Sequence, residues 1–207
     1  MGLDMSIKIK RKPLRGRTAS TETLVLRTYF KGRKEIDYDI PDIKTGKIKY
    51  NQTKIKNSTR VEDTYELAYW RKANAIHNWF IINVKNGQDD CKEHRLTEKD
   101  LQNLLVTVND VLDHCELKDG IIRNGYTIKR FLWKTYRKYN KEKGKVLTKQ
   151  SIKYCSEKLP TQEGFFFGNT DYDEYYYEML VYTKEKLEYI LSHYNLKKDK
   201  IYYSSSW

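Results

Sequence analysis

Cysteine and proline are scarce, with three of each in 207 residues. Cys91, Cys115 and Cys155 are too few and too scattered for a disulfide framework, which points to a reducing compartment. Pro13, Pro41 and Pro160 each fall among turn or loop signals. Nowhere do about 18 apolar residues follow one another, so no segment is expected to span a membrane. The N-terminal stretch MGLDMSIKIKRKP lacks the apolar segment of a signal peptide. Together these absences predict an intracellular protein. Catalytic signatures are missing as well: there is no Walker loop, no HExxH and no nucleophile elbow, so no catalytic residue and no cofactor are expected.

What the chain does have is 39% hydrophobic residues, enough for the core of one domain or of one domain with a sizeable insertion. It also carries 40 basic against 28 acidic side chains, a net charge of +12. That charge is uneven. Residues 1–60 carry +10 and residues 116–158 carry +9, whereas residues 61–115 carry −4 and residues 159–207 carry −3. An acidic partner is therefore implied for two regions and not for the whole surface.

In the first of these regions, IKIKRKPLRGR at 7–17 reads as an arm whose Arg11 and Arg15 lie along phosphates, or as a solubilising tail. TETLVLRTYF at 21–30 and KIKYNQTKIK at 47–56 predict a small β element. From 61 to 84 the pattern reads as helix, with Tyr65, Ala68, Tyr69, Ala73, Ile76, Phe80 and Val84 on one face. Beside that face run Glu66, Trp70, Asn74 and His77. The histidine reads either as a general base or as a core-edge residue with both nitrogens satisfied. Cys91, His94, His114 and Cys115 lack the spacing of a structural zinc site, and no metal is expected. Thr97 and Asp100 form a capping box for a helix over 97–115, where Leu101, Leu104, Leu105, Val108, Val111, Leu112 and Cys115 make a scaffold stripe.

Residues 116–158 read as a two-helix unit. Gly120 and Asn124-Gly125 mark turns, a helix over 127–139 points Ile128, Phe131, Leu132 and Tyr139 inward, and a second covers 148–158 with Ile152 and Cys155 inward. The outer surface of the first helix would present Lys129, Arg130, Lys134, Arg137, Lys138 and Lys141, interleaved with Trp133 and Tyr136. That combination neutralises phosphates and stacks on bases, or else is a solvated lysine-rich face. Beyond Pro160, Gly164 and Gly168 bracket three phenylalanines in a tight loop. Thr170 and Asp173 suggest a capping box for a helix over 171–194 whose stripe includes Tyr176, Met179, Leu180, Leu187 and Ile190. The loop reads as a ligand pocket or as a structural plug. The tail after Lys197 is expected to fray unless Trp207 docks.

YWRKANAIHNWF at 69–80, NGQDDC at 86–91 and LPTQEGFFFGNTDYDEYYYE at 159–178 resemble a group of small bacteriophage-encoded proteins of uncharacterised function. The resemblance covers residues 65–115 and 159–194. It implies a phage gene product in the host bacterial cytoplasm, an accessory of host takeover or counter-defence. It also makes residues 1–60 and 116–158, the two basic regions, additions to a shared helical part.

The combined expectation is an α+β protein, mainly α. Its parts are a basic N-terminal arm and β element (1–60), a three-helix core (61–115 with 159–207) and a basic two-helix insertion (116–158). The leading functional expectation is non-enzymatic binding of nucleic acid, or of a host nucleoprotein complex or defence protein, through Arg11, Arg15, Lys129, Arg130, Trp133, Lys134, Arg137 and Lys138. A second is a pocket for a phosphorylated nucleotide, built from Trp70, Arg71, Asn74, His77, Phe165, Phe166, Asp171 and Asp173. A third is a minor virion or assembly component.

Overall fold

The structure, a computed structural model, describes residues 2–11 and 63–207. The elements, in chain order, are β1 (Asp4–Arg11), β2 (Asp63–Arg71), α1 (Asn74–Asn83), β3 (His94–Arg95), α2 (Glu98–Asp113), β4 (Leu117–Phe131), β5 (Lys134–Leu147), α3 (Lys149–Lys158), α4 (Glu174–His193) and β6 (Lys200–Ser206). The expected strands at 21–30 and 47–56, and Arg15, lie outside the described residues.

β1 alternates with period two: Leu3, Met5, Ile7 and Ile9 are buried, while Asp4, Lys8 and Lys10 face away from the core. It is the second strand of an antiparallel sheet ordered β2-β1-β6-β3. Register stacks the inward residues in rows: Trp70, Met5 and Ser205, then Ala68, Ile7 and Tyr203, then Tyr65, Ile9 and Ile201. Onto this face α1 lays Phe80, stacked on Tyr203 at 3.9 Å. α4 meets Trp70 with Tyr182, ring edge to face at 6.0 Å, and with Thr183, whose hydroxyl accepts from the indole N–H at 2.9 Å. α2 packs on α4. Its capping box at Thr97 and Asp100 and its buried stripe Leu101, Leu104, Val108 and Val111 are as the sequence predicts.

The expectation of a mainly helical fold around a three-helix core is overturned. Strands take about as many residues as helices and form two antiparallel sheets, one of which supplies the floor of the core. Two misreadings account for this. The segment 61–84 was expected to be one helix, yet residues 63–71 are a strand. A β-bulge opposite Ile7 and Lys8 spaces the inward residues Tyr65, Ala68 and Trp70 by three and then two, and a three-residue step imitates helical periodicity. The expected helix over 127–139 is likewise absent. These residues form the outer part of the long ribbon β4-β5, whose turn is Leu132-Trp133.

Smaller corrections follow from the same sheet. The expected basic arm begins at Ile7, but Ile7 to Arg11 belong to β1, with Arg11 paired to Asp63 in register. The tail does not fray: β6 is a central strand, and Trp207 packs on His77 and Phe167 at 5.6 and 6.1 Å. α4 starts at Glu174, capped by Asp173 accepting from Tyr176 N–H at 3.2 Å, so Thr170 is not the cap. α3 forms as expected, with Cys155 buried and its sulfur 3.6 Å from that of Cys115. Among the described residues no helix is long and apolar enough to cross a membrane.

The alternation of β1 makes neighbouring positions unequal. Ile7→Ala should cost about 2–5 kcal/mol of stability as a core deletion, whereas Lys8→Ala should change it by no more than about 0.5 kcal/mol. Urea unfolding of the two variants measures the difference, and equal effects would contradict the strand assignment.

Candidate nucleic-acid interface

The β4-β5 ribbon owes its form to residues 126–131, YTIKRF, and 134–139, KTYRKY, in which every residue that is not a cation is β-branched or aromatic. Asn124-Gly125, the strongest turn signal in the region, is a bulge within β4. There the pairing shifts register between Arg123 and Tyr126, and Gly125 takes a φ of +72°. The true turn has no turn residue: Leu132 adopts a φ of +52° at the tip.

The root of the ribbon is fastened to the body. Leu147 is buried, its N–H donates to the Tyr172 carbonyl at 2.9 Å, and Val146 bridges Asp173. The Arg123 guanidinium donates through Nε and a terminal nitrogen to both carboxylate oxygens of Asp171, and it also lies 4.8 Å from the Tyr139 ring centre. A bidentate pair of this kind sets direction as well as distance. Beyond Arg123 the ribbon extends for about 30 Å at roughly 3.3 Å per residue, with most of its described side chains exposed to solvent.

That outer part is basic throughout. Between Asn124 and Lys141 there are six basic residues and no acidic one. Lys129, Arg130, Lys134, Lys138 and Lys141 are exposed. The turn is apolar and open to solvent, with Phe131 69%, Leu132 78% and Trp133 98% exposed. Register keeps the cations apart: Lys129 faces Tyr136, Arg130 faces Thr135, Lys134 faces Phe131, Arg137 is paired with Ile128, and Lys138 faces Thr127. From Thr127 to Lys138 no two cations are directly opposite, which avoids like-charge repulsion across the strands, whereas Lys141 faces Arg123, whose guanidinium is paired with Asp171. The expected interface residues are thus brought onto one ribbon, but they do not share one face. Lys129, Lys134 and Lys138 are on one side, Arg130 and the position of Arg137 on the other, and Trp133 is at the tip. Arg11 is on the four-stranded sheet.

Sequence reasoning missed Arg123 as the anchor, and Phe131 and Leu132 as exposed tip residues instead of core. The available signal was the β-branched and aromatic content from Tyr126 onward, with no glycine or proline until Gly144.

Of the residues of the alternative pocket, Asn74 and Asp171 line one cleft, and the others have separate structural surroundings. Asn74 joins α1 to the loop before α4: its amide donates to the carbonyls of Phe167 at 3.0 Å and Asn169 at 2.8 Å, and its oxygen accepts from Gln162 N–H at 3.2 Å. Trp70 is spent on Thr183, and the exposed Arg71 accepts from the Tyr175 hydroxyl through its backbone carbonyl. Of the three phenylalanines, Phe167 is buried, Phe166 half-buried and Phe165 exposed. Gly168, at a φ of +88°, passes against Lys72. Asp171 holds Arg123. Asp173 caps α4, and burial pushes its carboxyl up, against the Tyr176 N–H that favours the charged form. The cleft lined by Asn74, Thr161, Asn169, Asp171 and Tyr176 has a volume of only about 20 Å³, room for roughly one water.

His77 has both nitrogens engaged inside the core. Nδ1 lies 2.7 Å from the Tyr203 hydroxyl, and Nε2 lies 3.1 Å from an oxygen of Asp89. Burial keeps the tyrosine protonated, so its hydroxyl donates to Nδ1 and the ring N–H at Nε2 donates to Asp89. Burial lowers the imidazole below its ordinary value, against the pull of Asp89 and with a further push from Lys85. Lys85, itself fully buried, donates to the Asp90 carbonyl and pairs with its carboxylate at 3.1 Å. A hydrogen bond from His94 at 3.0 Å, with Lys85 behind it, holds that carboxylate well below the usual range.

Set beside known protein families, curated proteins and solved structures, the chain matches none.

Removing the Asn74 amide strands two buried carbonyls and one N–H. Asn74→Ala should therefore cost about 2 kcal/mol or more, and limited proteolysis should open the loop at 160–170 first. An unchanged unfolding midpoint would contradict the joint. The His77 shift has a definite sign. Folded His77 stays neutral below 6.5, where the unfolded chain takes up a proton, so stability falls as pH drops from about 6.5 towards the lowered midpoint. Unfolding at pH 7.5 and 5.5 should show a smaller loss for His77→Gln than for the unaltered protein.

Proposed function

We propose that this protein binds nucleic acid without catalysis, through the outer part of the β4-β5 ribbon. One observation carries the reading: an acid-free run of six cations, exposed wherever their side chains are described, around an exposed aromatic tip. Cations release counterions from phosphates, and aromatic rings stack on bases or pack against their edges. A ribbon that only needed to fold would gain nothing from an exposed Trp133, because an exposed apolar side chain contributes no burial. The nucleotide-pocket reading has no comparable support, since its polar groups are committed to holding the loop and its cleft admits roughly one water.

The segments read above as resembling phage proteins belong to the body that carries the ribbon, and that resemblance makes the ribbon an addition. The reading extends accordingly to an accessory protein acting in a host bacterial cytoplasm. Its target there is nucleic acid, alone or within a nucleoprotein complex, and occupying that target blocks a host process.

If about six phosphates are contacted, affinity should fall about 10³-fold between 50 and 200 mM salt. Replacing Lys129, Arg130, Lys134, Arg137 and Lys138 together by glutamate should abolish binding. The circular dichroism spectrum should be retained, because the described side chains replaced are exposed. Fluorescence anisotropy with labelled oligonucleotides measures both effects. Binding that survives high salt and the charge reversal would refute the reading.

A further inference from the structure

The distribution of charge around the ribbon says more than its total. On one face stand Lys129, Lys134 and Lys138 with Phe131 and Tyr136. On the other stands Arg130 with Ile128, Tyr126 and Tyr139, Arg137 occupies a register position of this second face, and Lys141 lies further back on it, opposite Arg123. A nucleic acid lying against one side of the ribbon would leave half of these cations unused. Cations on both faces suit a slot with phosphates on both walls.

Dimensions narrow the slot. A two-stranded ribbon with its side chains is about 10 Å thick, the spacing at which sheets pack. The major groove of B-form DNA is about 12 Å wide and 8.5 Å deep, whereas its minor groove is about 6 Å wide. The A-form major groove of duplex RNA is too narrow for side chains to read, and a single strand has no second wall. A depth of about 8.5 Å takes in the turn and the outer two or three residue pairs, those of Phe131, Arg130 and Lys129. The apolar turn then reaches the groove floor, where base edges and thymine methyl groups lie, and the lysines and arginines behind it face the two backbones.

We infer that the ribbon enters the major groove of duplex DNA tip-first, with Trp133 and Leu132 at the floor and each basic face against one strand's phosphates. This rests on the nucleic-acid reading above and goes beyond it in naming duplex DNA, the groove and the two-sided contact.

The test uses the full chain with DNA duplex, RNA duplex and single-stranded DNA of one sequence at one salt concentration. The duplex DNA should bind at least about tenfold more tightly than either alternative. Methyl green, a major-groove ligand, should displace the protein, and netropsin, a minor-groove ligand, should not. Two face variants complete the test. Lys129→Gln with Lys134→Gln and Lys138→Gln should reduce the salt slope by about 2.7, and Arg130→Gln with Arg137→Gln by about 1.8, at 0.9 per phosphate contact. Trp133→Ala should weaken duplex binding about tenfold or more and leave the slope unchanged. Equal or tighter binding of single strands or duplex RNA, displacement by netropsin, or a slope carried wholly by one face would each overturn the inference while leaving nucleic-acid binding in place. No binding to any of the three at low salt would overturn both.

Discussion

The ring of Tyr203 lies face to face with Phe80, and its hydroxyl meets Nδ1 of His77 at 2.7 Å. Through that one side chain β6 is tied to α1, while its backbone holds the strand between β1 and β3. The inward rows of the sheet, the placement of α1 and the docking of Trp207 all depend on this meeting of strand and helix. It is also costly to disturb. A fully buried tyrosine hydroxyl, a buried imidazole and a buried ammonium at Lys85, 6.0 Å from the Tyr203 ring centre, are gathered here, and each is tolerated only because it has a partner.

From this core a chain of polar joints leads outward to the ribbon. Asn74, on the first turn of α1, grips the loop at 162–169. The same stretch continues into Asp171, which grips Arg123, and into Asp173, which both starts α4 and bridges Val146. The loop at 160–170 is therefore a mount. The ribbon's root inherits the rigidity of the core, and its outer part, which buries almost nothing, is free to be shaped by a partner. A rigid mount lowers the ordering cost of binding, because less freedom remains to be lost.

The ribbon's composition fits that division of labour. Core-facing positions near the root are Leu117 and Leu147, whereas beyond the bulge the same strands carry cations, tyrosines and an exposed tip. Spacing the cations opposite threonine, tyrosine, isoleucine and phenylalanine lets a highly charged hairpin persist without a partner. The unneutralised charge still favours any polyanion that fits between its faces.

Much of this was legible in the residues. The capped helix α2, the helices α3 and α4 and the uneven charge can be read directly, because capping boxes, apolar stripes and charge counts are local properties. Three things were not local. A bulge in β2 turned a two-residue step into a three-residue one and made a strand look helical. A turn at Leu132-Trp133 without glycine, asparagine or proline hid a hairpin, while Asn124-Gly125 advertised a turn where only a bulge exists. And whether Asn74, His77 and the carboxylates at 171 and 173 formed a pocket or a joint depended on partners as distant in sequence as Tyr203 and Arg123. The sequence by itself determined which residues would be buried in α2 and α4 and where the positive charge would be concentrated. Only the tertiary structure decided that the charge would stand on both faces of a ribbon, because strand register, set by long-range pairing, assigns each side chain its side.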